Sequence, residues 1–513
     1  MKYRKSMYVV LIAAMAIAIQ LFAQGDRPKH HQYKLEVVST FGGPNSDFAV
    51  TAAGAIGHVL NSQGATIGGA SNSTPDPYSP NCLLDCYITH ALKFEDGITT
   101  DLGALPGSNS SFSFAINDGG LVVGLSENGS FDPLTGLPAY HATIWRHGVL
   151  SDLGTFGGGT SQAVDVNNLG QVVGVAGNAI PDEYAGGLGP CITWFGCNTV
   201  ASQQRAFLWE GGKLQDLGTL GGNDAIAYLV NQQGQVVGVS YTNTTANETT
   251  GLPTQDPFFW QHGKMTDLGS LGGAYGSARW LNDWGQVVGY SDLNGDQSVH
   301  GFFWERGVLT DLLNLGGPSS EADWINNAGD VVGGAQLSDG QTIHGFLWHQ
   351  GRGPMKDLGT VPGYMNSWAY VINAGGQAVG QAWNPNAPST APLWENGLPP
   401  VDLNQLLDPS SNTINLHLDF AYYIGDEGAI LAYGTLPNGD IRIAELVPSC
   451  DCDSVCESRI AAAESDAVAA TLFGQGTNTT TGQSPSPNNG ARWQAKPFRP
   501  RGFTPPQSAA KLN

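Results

Sequence analysis

The chain has 513 residues, of which 70 are glycine, with 13% charged residues and a formal net charge of −22. Low charge with abundant glycine argues for many short strands and tight turns rather than solvated helices. The acidic balance excludes nucleic acid and anionic membrane surfaces as partners, since both repel such a chain, and otherwise reads as a solubility feature compatible with cations or neutral glycans.

The first 23 residues read as a signal peptide. A basic "MKYRK" precedes the apolar run "MYVVLIAAMAIAIQLFA", and Ala23 offers a small residue at a cleavage point before Gln24. No cysteine follows that point, so no lipid anchor is expected, and an uncleaved membrane anchor is the alternative. After cleavage the protein is expected to be secreted or periplasmic, with no membrane attachment.

The first ordered stretch, "YKLEVVSTFGG" from Tyr33, resembles a piece of the repeat that fills the chain, as in "GKLQDLGTLGG". One repeat element is Asn-x-x-Gly followed by small and β-branched residues, beginning at Asn61, Asn117, Asn167, Asn231, Asn282, Asn326 and Asn373, with a degraded copy at Gly425. A second is an apolar run ending in an aromatic: Phe94, Trp145, Trp209, Trp260, Trp304, Trp348 and Trp394. The third is Asp-Leu-Gly or a variant, at Asp101, Asp152, Asp216, Asp267, Asp311, Asp357 and Asp402. Intervals of 44 to 64 residues between copies are those of a propeller or a related array.

Each unit parses into four short strands. In residues 160–217 these are "TSQAVDVN", "QVVGVA", "RAFLWE" and "KLQDLG", with Asn-x-x-Gly and Gly-Gly supplying tight turns. The second and third strands do not alternate strictly between apolar and polar residues, as expected of strands covered on both faces. The terminal aromatic of the third strand is expected to lie between sheets. At the chain ends, Tyr33 onward supplies a fourth strand without its first three, and residues 419–447 supply three strands without a fourth. Pairing of the two would close a ring and remove the exposed edge. The predicted fold is therefore all-β, an eight-bladed β-propeller over residues 33–447 with the last blade shared between the termini. Seven blades plus an irregular end, or an open β-repeat array, are the alternatives.

The strings "HATIW", "RAFLW", "HGFFW" and "HGFLW", each followed by a glycine turn and "DLG…LGG", resemble the HAF family of extracellular repeats over most of the chain. The first, fourth and seventh units depart from the pattern, with "HALKF", "DPFFW" and "APLW", the last placing Pro392 where a ladder donor is lost. The resemblance implies an exported repeat protein and no catalytic residue.

His90, His141, His300 and His344 open the third strand, where Arg205, Asp256 and Thr390 stand in other units. That mixture suits a solvated strand end better than a metal site, which needs converging ligands. The aspartate of Asp-Leu-Gly (Asp152, Asp216, Asp267 and Asp357 among them) is assigned an Asx-type bond to the backbone two residues on, and the repeated asparagine likewise. No cofactor is expected, and no catalytic motif of the common hydrolase or nucleotide-binding kinds occurs.

The units differ in the connection between second and third strands, which is long in units one to four and short in units five to seven. "CLLDC" and "CITWFGC" place Cys82 with Cys86, and Cys191 with Cys197, as two local disulfides pinning such loops, with zinc as the sharper alternative. Loops on a rigid scaffold are where binding resides, so the looped face is the expected site for a glycan or cell-surface protein. A propeller hydrolase or lyase, with carboxylates meeting across the channel, is the alternative. Residues 448–513 hold Cys450, Cys452 and Cys456 and a polar, low-complexity tail that is basic from Arg492 onward.

Overall fold

The computed structural model describes residues 30–48, 57–79, 82–184, 201–248, 250–385, 387–395 and 398–449. The expected signal peptide, Cys191, Cys197 and the cysteines and tail from Cys450 onward lie outside the described residues. Among the described residues every named element is a β-strand except a three-residue turn of 3-10 helix, Leu403–Gln405. No helix among them is long and apolar enough to cross a membrane.

Unit three shows the plan. Gly157–Val166, Val172–Asp182, Ala201–Glu210 and Lys213–Asp216 pair antiparallel in chain order. The middle strands run further than the apolar pattern indicates, because Pro181–Ser202 and Asp182–Ala201 resume the ladder beyond an irregularity. The same four-strand order holds in unit one (residues 42–101), unit two (111–152), unit four (225–267), unit five (272–311), unit six (316–359) and unit seven (366–402). A single parallel pair, Gln255 with Tyr275, joins units four and five into one longer sheet. Unit seven is the weakest: its third strand is only Pro392–Trp394, as expected where proline withholds a ladder donor. The result is an all-β chain of four-stranded antiparallel sheets, an arrangement of the propeller-like kind.

The termini share a sheet. His417–Ile424, Ile430–Thr435 and Ile441–Ser449 form its first three strands, and Gln32–Val37 pairs antiparallel with the third, Leu35 opposite Leu446. Pro448 and Ser449, expected to begin the tail, belong to this strand, opposite Tyr33 and Gln32. Tyr33 is tied from its other side by its amide donating to the Leu406 carbonyl. Each sheet packs on the next in chain order, and the sheet of the two termini packs on both unit seven and unit one.

Two local features repeat. The first strand carries a bulge just before its Asn turn, seen between Ala163 and Asp165, Ala227 and Leu229, Ala278 and Trp280, and Ala322 and Trp324. The glycine after the paired valines of the second strand lies directly beneath it. A side chain at Gly174 or Gly238 would collide with the carbonyl oxygen of Gln162 or Ile226. The "VVG" string is thus the counterpart of the bulge, and glycine is required for close approach rather than for its φ.

Candidate functional site

The bulges single out one side chain in the first strand of each unit. A bulge leaves one residue unpaired and re-aims it. Here that residue stands three before the turn asparagine, or before Gly425 in its place: Phe114, Val164, Tyr228, Arg279, Asp323, Tyr370 and Tyr422. His58 holds the same place before Asn61. Residues of units that are not neighbours touch there. His58 Nδ1 lies 2.8 Å from Asp165 Oδ1 of unit three, its ring lies 5.5 Å from that of Trp280 of unit five, and Trp324 of unit six meets Tyr423 of the sheet shared by the termini edge-on. The indoles of Trp280 and Trp324 stack. These bulge residues were not found from the sequence, although the signal is present: a variable position inside an otherwise repeating string before each Asn.

Charge is concentrated at the bulges of units five and six. Arg279 is fully buried, with Nη2 3.5 Å from Glu321 Oε2 and Nε 3.7 Å from Asp323 Oδ1, and its guanidinium carbon lies 4.8 Å from the Tyr290 ring centre. Glu321 is buried, with Arg279 as its charged partner. Burial pushes Glu321 well above the usual carboxylate range and Asp323 up to about 6, the Arg279 charge only partly opposing it. Asp323 also accepts a hydrogen bond from the Trp368 indole of unit seven. Burial also pushes Asp47 of unit one up to about 8. His58 keeps its charge more readily than usual: burial opposes it, but Asp165 outweighs burial. Among the described residues no group of three or more His, Cys, Asp or Glu could hold a metal ion.

The repeated polar residues expected to be structural sit at two distinct places. In every unit from one to seven the Asp-Leu-Gly aspartate accepts the amide two residues on, as Asp152 does from Gly154 at 2.7 Å, Asp216 from Gly218 at 2.8 Å, Asp267 from Gly269 at 2.7 Å and Asp357 from Gly359 at 2.6 Å. The same carboxylate faces the residue opening the third strand: His90, His141, Arg205, His300, His344 or Thr390. Sequence reasoning found both positions but not their pairing. Unit four breaks it, since Asp256 stands beside Asp267, and burial together with that neighbour pushes Asp256 up to about 6. The turn asparagines do more than close turns. Asn117 Nδ2 donates to the carbonyl of Asn167, Asn167 to Asn231, Asn231 to Asn282, Asn282 to Asn326 and Asn326 to Asn373, each in the next unit. The third-strand aromatics lie against the preceding sheet: Trp304 on Phe259 and Trp348 on Phe303, both at 5.3 Å between ring centres. Trp145, Trp260 and Trp394 are buried, whereas Trp209 is only partly so.

On the looped side, units one to three share a device hidden by their different sequences. Asp76, Asp132 and Asp182 are buried, and each accepts the amide two residues on, from Tyr78, Leu134 and Tyr184. Each also engages the segment leading into the following unit. Asp76 accepts from Ser110 Oγ, Asp182 accepts from Asn223 Nδ2, and Asp132 lies so close to Gly159 that any side chain there would meet its carboxylate. Cys82 and Cys86 form a disulfide within the unit-one loop. Phe131 (54% exposed), Leu134 (42%) and Ile180 (55%) are left facing solvent, with Tyr78 edge-on to Phe131 across two units.

No family model matches the chain, and no curated protein matches it. Among solved structures it is similar to putative TolB from Agrobacterium tumefaciens, with a TM-score of 0.30 and 10% identity over 49% of this chain and 86% of that one. TolB from Acinetobacter baumannii matches with a TM-score of 0.30 and 10% identity over 64% of this chain and 79% of that one. Trypanosoma rangeli sialidase in complex with the inhibitor DANA matches with a TM-score of 0.26 and 10% identity, over 81% of this chain and 55% of that one. Likeness this remote transfers no site residue to the chain.

Proposed function

We propose that the protein is an exported repeat protein of the HAF type, closed as an eight-bladed propeller, that acts as a binding module through the face carrying the long loops of units one to four. Closure is supported by the pairing of Gln32–Val37 with Ile441–Ser449 and by the contacts of His58 of unit one with the first strands of units three and five. Binding is supported above all by the looped side. Three buried aspartates lock successive loops onto the next unit, so Phe131, Leu134 and Ile180 are presented on braced rather than free segments. Preorganised loops with exposed apolar groups lose little freedom on binding a glycan or a cell-surface protein. A variant in which the connections of units one to four are cut to the length of that in unit five tests this. Binding to a panel of extracellular polysaccharides and surface proteins should vanish while the urea melt stays cooperative. Retention of every interaction seen with the intact chain refutes the reading.

A second reading, a propeller hydrolase or lyase, is favoured by one observation: Asp323 stands 3.7 Å from Arg279 and accepts from the Trp368 indole, and burial raises both its carboxyl and that of Asp47. Such groups can supply protons near neutral pH. Turnover of a polysaccharide panel, lost in both Asp47→Asn and Asp323→Asn, is its signature.

A further inference from the structure

The joint between unit one and the sheet of the termini is braced from a loop. At this joint Gly42–Asp47, the first strand of unit one, packs on Ile441–Ser449. Asn45 Oδ1 accepts the Ile441 amide at 2.9 Å, Ser46 Oγ accepts the Ile443 amide at 3.1 Å, and the Pro44 carbonyl accepts from Arg442. The joint between units six and seven uses the same two positions: Asn366 Oδ1 accepts the Ile343 amide and Ser367 Oγ the Gly345 amide, both at 3.0 Å. The two joints differ at the other end of the asparagine. Asn366 Nδ2 turns to the Trp383 carbonyl of its own unit. Asn45 Nδ2 donates to Asp85 Oδ2 at 2.7 Å, and Asp85 lies inside the loop that Cys82 and Cys86 close.

The same loop engages unit two. Leu83 is buried, 2% exposed, in a cluster with Phe112, Phe114, Leu125 and Tyr140, all of unit two. The Cys86 carbonyl accepts the amide of Asp76, whose carboxylate accepts from Ser110 Oγ of the segment entering unit two. Asp85 Oδ1 accepts the Tyr87 amide where the third strand of unit one begins. Cys86 has a φ of 60°, in the left-handed region that residues other than glycine seldom enter. A five-residue loop closed by a disulfide holds such a residue in place. Without the cross-link the segment regains conformational freedom, which opposes keeping Leu83 and Asp85 where they are. Cys82 and Cys86 both keep partial exposure, so a reagent can reach the bond.

We propose that the Cys82–Cys86 disulfide is a redox-sensitive latch on the joint between unit one and the sheet of the termini. Oxidised, it keeps Asp85 on Asn45, and Asn45 and Ser46 on the Ile441 and Ile443 amides. The reagent that opens it is a dithiol. One thiolate of the dithiol attacks a cysteine sulfur and forms a mixed disulfide, releasing the other cysteine as a thiol. The second thiolate of the dithiol then displaces the remaining cysteine. The protein gains two electrons and two protons as two thiols, and the reagent becomes a disulfide. With the loop released, Asp85 leaves Asn45 and the joint opens locally, while the ladders within each unit persist. The joint is thus tight in an oxidising compartment, where such bonds last, and loose where thiols are kept reduced. The proposal does not rest on the binding reading.

Hydrogen exchange on the full chain tests it, with dithiothreitol as the dithiol and alkylation mass verifying that Cys82 and Cys86 are reduced. Reduction should speed exchange of the Ile441 and Ile443 amides about fivefold or more. The Ile343 and Gly345 amides, which hold the equivalent places between units six and seven, should keep their rates. The double variant Cys82→Ser with Cys86→Ser should exchange fast at Ile441 and Ile443 without dithiothreitol and gain nothing from it, which removes the other cysteines as a cause. Should that variant fail to fold, Asp85→Ala with the disulfide intact serves in its place and should give the same acceleration at Ile441. Unchanged exchange at Ile441 and Ile443 after verified reduction overturns the proposal, as do parental rates in the folded variants. Equal acceleration at Ile343 and Gly345 also overturns it, since the disulfide would then be a general stabiliser.

Discussion

Arg205 takes up against Asp216 the position that His344 takes up against Asp357, each pair meeting at 2.9 Å beside the same turn. The arginine stays charged across the accessible pH range, whereas the histidine does not. The hydrogen bond to Asp357 raises His344, with burial opposing it less strongly. For Asp357 burial pushes upward, but the imidazole and the Gly359 amide outweigh it and hold the carboxyl low. A raised histidine contributes stability that is complete below its unfolded value near 6.5 and lost as pH rises through the folded value. A lowered aspartate contributes stability that is lost as pH falls below the ordinary carboxylate range. The pair is therefore strongest between those limits, and because Asp357 is well solvated it contributes less than about 1 kcal/mol. In urea melts from pH 5.5 to 8.5, His344→Arg should remove the part of the alkaline decline that His344 causes, and His344→Gln should lower stability only on the acid side.

Asp256 and Asp267 occupy the same two positions in unit four with like charge. Burial first and Asp267 second raise Asp256 to about 6, so protonation favours the folded state. The penalty is present above pH 6 and relieved as pH falls through that value. Asp256→Arg, which copies unit three, should stabilise the protein by about 0.5–1 kcal/mol at pH 7.5 and by less at pH 5. A destabilised variant at pH 7.5 would show that Asp256 has another partner there.

The scaffold was legible because its signals are local and repeated. Asn-x-x-Gly, "VVG" and Asp-Leu-Gly each serve a turn or ladder within one unit, and repetition multiplies a weak pattern into a firm one. The terminal pairing was legible for the same reason, since Tyr33 onward carries a fourth-strand pattern with nothing before it. The Arg279 cluster was not. Arg279 and Asp323 differ from their counterparts in other units, so each looks like noise in the repeat. What sets them out of register is a bulge, a feature of the ladder rather than of side-chain type. The His344–Asp357 pairing was hidden for a different reason: the two residues lie on adjacent strands, and register had to be known before they could be matched. The loop aspartates Asp76, Asp132 and Asp182 sit in unlike sequences and gain their likeness only from what they touch.

Asn231 illustrates a link that crosses units. Its oxygen accepts the amides of Gln233 and Gln235, both at 3.0 Å, and its amide donates to the Asn282 carbonyl at 3.0 Å. Asn231→Ala removes all three and leaves a buried carbonyl of the next unit without that donor. A loss of about 2–4 kcal/mol is expected from the missing bonds. An exposed residue of the same turn offers the control: Gln233→Ala should change stability by less than about 1 kcal/mol, being a surface substitution. Equal effects from the two substitutions in denaturant melts would show that the inter-unit bond contributes nothing beyond the turn.

Trp260 and Trp209 close the third strand in adjacent units but do not sit alike. Trp260 is buried in a cluster with Leu208 of the preceding unit, while Trp209 is partly exposed beside the cluster that holds Ile144. Trp260→Ala should therefore cost about 3–5 kcal/mol, the usual range for deleting a large buried aromatic. The transfer part of that cost scales with the area taken from water, so Trp209→Ala should cost distinctly less. The comparison is most direct in urea melts of both single variants under one set of conditions, since the denaturant slope also reports whether either change loosens the folded state. An equal cost for the two would place Trp209 in the core despite its exposed edge. A smaller cost for Trp260 would mean that the sheets of units three and four pack without needing the indole between them.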